Sequence, residues 1–103
     1  MSDRSATVSQ KPVRFARSAT KHRISQERIR YVISHCGLVF AERAPPASEA
    51  GDDRLVILGD DADGRELEVM GVEGPQGELI VIHAMELREK YRTQYEEAKQ
   101  WRL

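Results

Sequence analysis

The hydrophobic positions along this chain change their spacing twice, from a helical period to a strand-like alternation and back again. In the first region four apolar residues share one helix face at the i, i+3, i+4, i+7 spacing: Ile29, Val32, Ile33 and Cys36. Ser25 precedes them as a favourable N-cap, and Glu27 complements the positive end of the helix dipole. We therefore predict a helix from about Gln26 to Cys36 that ends in a left-handed cap at Gly37.

The middle of the chain consists of short segments rich in Val, Ile and Leu, separated by turn-forming residues. These segments predict four strands: Leu38–Phe40, Arg54–Leu58, Glu66–Val72 and Glu78–Ala84. The turns at Asp60–Gly64 and Gly74–Gly77 are short, so the strands that they connect pair antiparallel. Because Glu66 and Glu68 alternate with apolar residues, we expect one face of the sheet to be wet and the other to be buried.

After Ala84 the spacing becomes helical again, within a strongly charged segment. A narrow apolar stripe follows one side of this segment: Leu87, Tyr91, Tyr95 and Ala98. We predict that this helix begins near Glu86 or Leu87 and extends up to Trp101. The order of the elements predicts an α+β domain with a small antiparallel sheet of three to four strands, and both helices packed on one face.

Length and composition indicate one intracellular domain. A chain of 103 residues supports one core, and its polar, aperiodic residues 1–12 predict a mobile N-terminal tail before a single domain at residues 13–103. No apolar run approaches the ~20 residues that span a bilayer, and the N-terminus lacks the apolar segment of a secretory signal. The single cysteine, Cys36, excludes an internal disulfide. We expect a cytoplasmic protein with no membrane contact.

The formal net charge of −1 conceals an uneven distribution of charged residues. Residues 1–30 carry eight Lys and Arg against two acids, whereas residues 40–78 carry eleven acids against three Arg. The basic third favours a polyanion such as nucleic acid, because Lys and Arg that meet phosphates release counterions. The acidic middle would repel that polyanion unless it lies on the opposite side, and it could instead bind a basic partner. A solvated surface is the simpler alternative.

The side chains that could carry chemistry are histidines and basic residues. Cleaving RNA without a metal needs a base for the 2′-hydroxyl, an acid for the leaving 5′-oxygen and cations around the phosphorane. Histidine suits the first two roles, and arginine suits phosphate oxygens. The candidate catalytic residues are therefore His22, His83 and Arg65. The candidate phosphate ligands are Lys21, Arg54 and Arg88. Each of the six has an alternative interpretation as an ordinary surface or semi-buried polar residue.

Metal and cofactor sites are not expected from this sequence. The three histidines lack close partners at helical spacing and no cysteine joins them, which argues against zinc. The acidic turn Asp60–Gly64 lacks the remaining ligands of a calcium loop. No Gly-rich phosphate loop precedes a helix.

Three segments in this order resemble the BrnT-like toxins of bacterial type II toxin–antitoxin systems, which belong to the RelE-like superfamily: KHRISQERIRYVIS, RLVILGDDADGRELEVMGV and ELIVIHAMELREKYRTQYEE. The matching positions are the KH pair Lys21-His22, the strand residues Arg54 and Gly59, the GR pair Gly64-Arg65, the tripeptide Ile82-His83-Ala84 at the family's I-S-A, and the closing pair Tyr95-Glu96. The resemblance spans roughly Phe15 to Glu97. It implies a RelE-like fold, metal-independent cleavage of mRNA, and a cognate antitoxin that masks the site and often binds DNA. A homodimer or a hetero-oligomer with the antitoxin would fit that family.

Two departures from the family pattern bear on activity. Arg23 replaces the glycine that usually follows KH, and Met85 replaces the arginine of the family's I-S-A-R. Either His83, where the family has serine, compensates for that arginine, or the enzyme is weakened or altered. We expect an endoribonuclease toxin. The alternatives are a non-catalytic protein-binding module on the same scaffold, which Met85 favours, and a DNA-associated accessory protein, which the net charge makes less attractive.

Overall fold

The computed structural model describes residues 11–35, 37–43 and 53–101. The predicted tail (apart from its last two residues), the packing of Cys36 and most of the loop before Arg54 lie outside the described residues. The elements in chain order are β1 (Val13–Phe15), a 3₁₀ helix (Arg17–Thr20), α1 (Gln26–Ser34), β2 (Leu38–Glu42), β3 (Arg54–Asp60), β4 (Glu66–Glu73), β5 (Leu79–Glu86) and α2 (Glu89–Gln100). No helix in this part of the chain is long and apolar enough to cross a membrane.

The strands form one mixed sheet in the order β1-β5-β4-β3-β2. Consecutive strands from β2 to β5 pair antiparallel, whereas β1 pairs with β5 in parallel through Val13–Phe15 and Leu79–Val81. The α+β class is confirmed. The prediction of a purely antiparallel sheet with three to four strands was wrong, because β1 is only three residues long and its partner lies far along the chain.

The two helices pack on opposite faces of the sheet, so the prediction that both lie on one face was wrong. Ile29, Val32 and Ile33 of α1 pack with one set of strand residues, which includes Ile57 and Val69. The apolar side of α2 packs with the alternate set: Val56, Leu58 and Met70 meet Leu87, Tyr91 and Tyr95. Alternate residues of β3 and β4 therefore enter two separate cores, and both strands are covered on each side.

Because helices cover both faces of the sheet, the prediction that Glu68 faces solvent was wrong. Its alternation with Leu67 and Val69 predicted a solvent-facing side chain, but Glu68 is fully buried. It lies on the face that α2 covers, beside the N-terminal end of that helix. A charged residue at this position therefore needs partners within the protein.

The helix boundaries follow from hydrogen bonds at their ends. Ser25 caps α1 as predicted, since its Oγ accepts from the Arg28 amide at 3.2 Å. The helix ends earlier than predicted: α1 ends at Ser34 with His35 in the C-cap position, and the Gly37 amide donates to the Leu58 carbonyl. Positive φ among the described glycines occurs at Gly64 and Gly77, which form the two short turns.

The junction between β5 and α2 lies later than predicted. The strand continues through Glu86, and Leu87 still donates its amide to the Glu66 carbonyl. The helix then begins at Glu89 with Arg88 as its N-cap residue. His83 therefore lies inside the strand, three residues before its end, and not at the junction.

Arg23 adopts a left-handed backbone conformation, with φ at 61°. Its amide donates to the Thr20 carbonyl at 3.1 Å, which closes the turn between the 3₁₀ helix and α1. A side chain at positive φ costs roughly 1 kcal/mol or more, so this position favours glycine.

Replacing Arg23 should test this account of the turn. Arg23→Gly removes the steric cost but adds about 0.5–1 kcal/mol of backbone entropy, so we expect it to leave the free energy of unfolding unchanged or to raise it by up to ~1 kcal/mol. Arg23→Val should lower it by about 1 kcal/mol or more, since a β-branched side chain tolerates positive φ poorly. Urea denaturation of the three proteins measures both values. A glycine variant that is less stable than the valine variant would contradict the left-handed turn.

Candidate functional site

A β-bulge in β5 brings His83 to the face that α2 covers. The ladder between β4 and β5 pairs Gly71 with Val81 and then Met70 with His83, which leaves Ile82 without a partner. Simple alternation from Val81 would turn His83 towards α1. Because of the extra residue, Ile82 and His83 both lie on the α2 side, and Ile82 packs with its core. Bulges of this kind commonly redirect a side chain beside a functional site.

Glu68 joins β4 to the start of α2 through Arg88. One carboxylate oxygen of Glu68 accepts from the Arg88 backbone amide at 2.8 Å and from the guanidinium Nε at 2.9 Å. The other oxygen accepts from Nη2 at 2.7 Å. The guanidinium is therefore held in a two-pronged arrangement, which fixes its plane as well as its position. Its Nη1 donates to no described residue, and the side chain is 40% exposed.

His83 lies against the same carboxylate. Its Nε2 is 3.3 Å from Glu68 Oε2, a contact of ion-pair length. The contact lacks the alignment of a hydrogen bond, and Nε2 is buried with no hydrogen-bond partner among the described atoms. The Glu68 carboxylate therefore faces Nε2 of the ring without a formed hydrogen bond.

His22 completes the group from the edge of the sheet. It follows the 3₁₀ helix, which packs along β5 beyond the end of β1, and it is exposed. The rings of His22 and His83 meet edge to face, with centroids 5.5 Å apart. We call His22, Glu68, His83 and Arg88 together the two-histidine site.

A second layer of contacts supports Arg88 from the α2 side. The Arg88 guanidinium lies 5.7 Å from the centroid of the Tyr91 ring, and Lys90 Nζ lies 4.8 Å from it. The Tyr91 hydroxyl donates to Glu42 Oε2 at 2.7 Å. Burial and the bond to Glu42 raise the pKa of Tyr91, so this phenol stays protonated and serves to fix the helix against β2.

The charge state of Glu68 follows from these contacts. Burial alone would raise its pKa, but the neighbouring His83 and the hydrogen bonds from Arg88 outweigh burial and lower the pKa from 4.5 to about 2. Glu68 is therefore a carboxylate at neutral pH. It balances the positive charge of the Arg88 guanidinium within the site.

The six residues predicted from sequence are only partly brought together. His22 and His83 meet in the two-histidine site, Arg88 joins them through Glu68, and Lys21 is exposed directly beside His22. Arg65 lies apart, before β4, and forms an ion pair with Glu86. Arg54 lies opposite Glu42 at the far end of β3 and makes no ion pair with a described residue. Neither arginine contacts the histidines in this structure.

Glu68 is the member of the site that the sequence prediction missed. Its spacing in the segment RELEVMGV matched an exposed strand position. A signal was nevertheless present in β3, which reads as the continuous apolar run LVIL typical of a strand buried on both faces. A carboxylate in the strand paired with it is then a candidate for a functional or organising role.

The acidic middle of the chain is neutralised largely within the fold. Arg28 pairs with Asp61 and Asp63, while Lys99 and Arg92 pair with Glu66. A cavity of about 520 Å³ lies in this region, between the end of α1 and the end of α2, and it includes Asp60, Asp61 and Lys99 in its lining. Its carboxylates are engaged in ion pairs, so we do not place the site there. Among the described residues, no group of three or more His, Cys, Asp or Glu is arranged to hold a metal ion.

Comparison of the chain with protein-family models, with curated proteins and with solved structures finds no match in any of the three.

The lowered pKa of Glu68 predicts a specific loss of stability in acid. A carboxylate with a depressed pKa stabilises the folded state above its unfolded pKa of 4.5, and this contribution disappears as pH falls towards about 2. The difference corresponds to on the order of 3 kcal/mol. We expect the wild-type protein to lose about that much more unfolding free energy between roughly pH 6 and pH 2 than Glu68→Gln. Urea titrations at a series of pH values measure it.

Glu97→Gln is the matched control for this measurement. Glu97 is exposed on α2, and its side chain makes no hydrogen bond or ion pair with another described residue. Its replacement should leave the acid-dependent loss as large as in the wild type. Parallel pH profiles for the wild type and Glu68→Gln would mean that Glu68 is not held as a carboxylate by His83 and Arg88.

Proposed function

We propose that the protein is a metal-independent endoribonuclease, and that it acts as the toxin of a type II toxin–antitoxin system. The observation that carries the proposal is the meeting of two imidazole rings, from His22 and His83, beside an ionised buried carboxylate and a partly exposed guanidinium. These are the groups that acid–base cleavage of an RNA phosphodiester requires.

The two histidines divide the proton transfers of the reaction. A base removes the proton of the 2′-hydroxyl, whose oxygen attacks the adjacent phosphorus. The bond from phosphorus to the 5′-oxygen breaks, and an acid protonates that oxygen, which leaves a 2′,3′-cyclic phosphate and a free 5′-hydroxyl. We assign the acid role to His83, because its Nε2 lies 3.3 Å from the Glu68 carboxylate. His22, exposed at the sheet edge, is then the base.

Arg88 supplies the cation for the phosphate. Its Nε and Nη2 are committed to Glu68, whereas Nη1 faces no described acceptor and the side chain is accessible. A guanidinium that is already oriented loses little freedom when it binds a phosphate oxygen. Lys21 adds a second cation beside His22.

The position of Arg88 also bears on the departure at Met85. Met85 is the cross-strand neighbour of Glu68, so the family's arginine would extend from β5 beside this carboxylate. In this chain Arg88 reaches the same carboxylate from the start of α2. An arginine at either position, 85 or 88, could therefore place a guanidinium beside Glu68. For this reason the absence of arginine at position 85 does not favour the non-catalytic alternative.

The cellular role rests on the resemblance described above. In that role the protein cleaves mRNA in the cytoplasm, inhibits translation and is neutralised by a cognate antitoxin that covers the two-histidine site. The complex with the antitoxin would be a hetero-oligomer.

Induced expression in bacteria tests the nuclease directly. We expect the wild type to arrest growth and to cleave cellular RNA. His22→Ala and His83→Ala should each lower the cleavage rate of purified protein by about 10²- to 10⁴-fold, the usual contribution of a general acid or base. The rate is measured on a synthetic RNA in the presence of a chelator, together with growth at equal protein level.

His35→Ala is the matched control, because the third histidine is exposed at the C-cap of α1 and stacks on Tyr31 away from the site. It should retain wild-type cleavage and toxicity. Unimpaired growth and intact RNA with folded wild-type protein would reject the nuclease and favour the non-catalytic binding module.

Exchange of the arginine between positions 88 and 85 tests the phosphate contact. Arg88→Ala removes a charge-assisted contact worth about 1.5–3 kcal/mol and should lower cleavage by roughly 10- to 100-fold. Met85→Arg added to Arg88→Ala should restore part of that loss, since it returns a guanidinium to Glu68. Circular dichroism confirms that each variant is folded. Should the folded double variant be no more active than Arg88→Ala, the two positions are not equivalent sources of the guanidinium.

A further inference from the structure

Four exposed cations near the two-histidine site lack a carboxylate partner among the described residues. Arg17, Lys21 and Arg23 lie within five residues of His22 in the sequence. Lys90 is exposed in the first turn of α2 and contacts the Tyr91 ring rather than a carboxylate. Arg30 and Arg43 are also exposed and unpaired with a described acid, but they lie on α1 and after β2.

Two of the four cations near the site, Lys21 and Lys90, lie at opposite ends of a continuous series of side-chain contacts. On one side Lys21 adjoins His22, which meets His83 and, through Glu68, Arg88. On the other side Arg88 lies over Tyr91, whose ring Lys90 also approaches at 4.8 Å. Positive charge therefore extends beyond the reacting groups in two directions. A single phosphate bound at the reacting groups would contact only the middle of this charged surface.

We propose that Arg17, Lys21, Arg23 and Lys90 form a track for the phosphates of single-stranded RNA on both sides of the bond to be cleaved. We call these four residues the basic track. The choice of RNA as occupant rests on the proposed function. The surface chemistry supports it, because accessible Lys and Arg without protein partners release counterions when they meet successive phosphates.

The dependence of binding on salt tests the basic track separately from catalysis. The probe is a short fluorescent single-stranded 2′-O-methyl RNA, which lacks the attacking 2′-hydroxyl and stays intact. Wild-type affinity should fall linearly with salt on logarithmic axes. Each phosphate contact removed should lower the slope by about 0.7. We expect this change for Lys21→Ala and for Lys90→Ala, and about twice the change when both are replaced.

Lys99→Ala is the matched lysine control. It lies at the opposite end of α2 and is ion-paired with Asp60 and Glu66. It should leave the slope as in the wild type, although it removes the same formal charge. Thermal unfolding of all variants establishes that they are folded at the temperature of the assay.

The outcomes separate the basic track from the nuclease. Slopes that fall for Lys21→Ala and Lys90→Ala but not for Lys99→Ala support the track, even if the wild type cleaves no RNA. Equal slopes for all proteins overturn the track, even if the wild type is an active nuclease. Lysine-dependent binding of an acidic peptide with no binding of the oligonucleotide also overturns it, and would assign this surface to a protein partner.

Discussion

The arrangement of the site depends on the interactions of one buried carboxylate, that of Glu68. It accepts hydrogen bonds from the backbone and side chain of Arg88, and it lies within ion-pair distance of His83. In one residue it connects β4, β5 and the first turn of α2. A buried charge with these partners costs much to separate from them, so it restricts the relative positions of the three elements. The same constraint fixes the guanidinium in place before any ligand arrives.

The distribution of charge has a different meaning in the fold than along the chain. In the sequence a basic segment is followed by an acidic one. In the structure Arg28 from the basic segment and Lys99 from the last helix bond with acids at one end of the sheet. The neighbours of His22 have no such partners among the described residues. Several cations near the histidines therefore remain unbalanced, although the net charge of the chain is close to zero. Net charge alone is therefore a poor guide to the partners of a small domain.

Local patterns predicted the elements whose formation is local. The cap at Ser25, the apolar face of α1 and the strands on either side of the Asp60–Gly64 turn follow from spacing and turn chemistry, and they were found close to their expected bounds. The parallel pairing of β1 and the division of the helices between two faces depend on contacts distant in sequence. For the site, residue chemistry identified His22, His83 and Arg88. Glu68 was missed because its burial depends on which face α2 covers, and the direction of His83 depends on the unpaired Ile82.

The last helix has a consequence for synthesis of the protein. The two-histidine site draws on residues from positions 22 to 88, and its guanidinium occupies the N-cap position of α2. While a ribosome is still extending the chain, the sheet can begin to form, yet Glu68 lacks both its helix and its arginine partner until α2 has emerged. A nascent chain that stops before Arg88 would therefore carry two histidines without the guanidinium that Glu68 holds beside them. Emergence of α2 is in this sense the step that assembles the site.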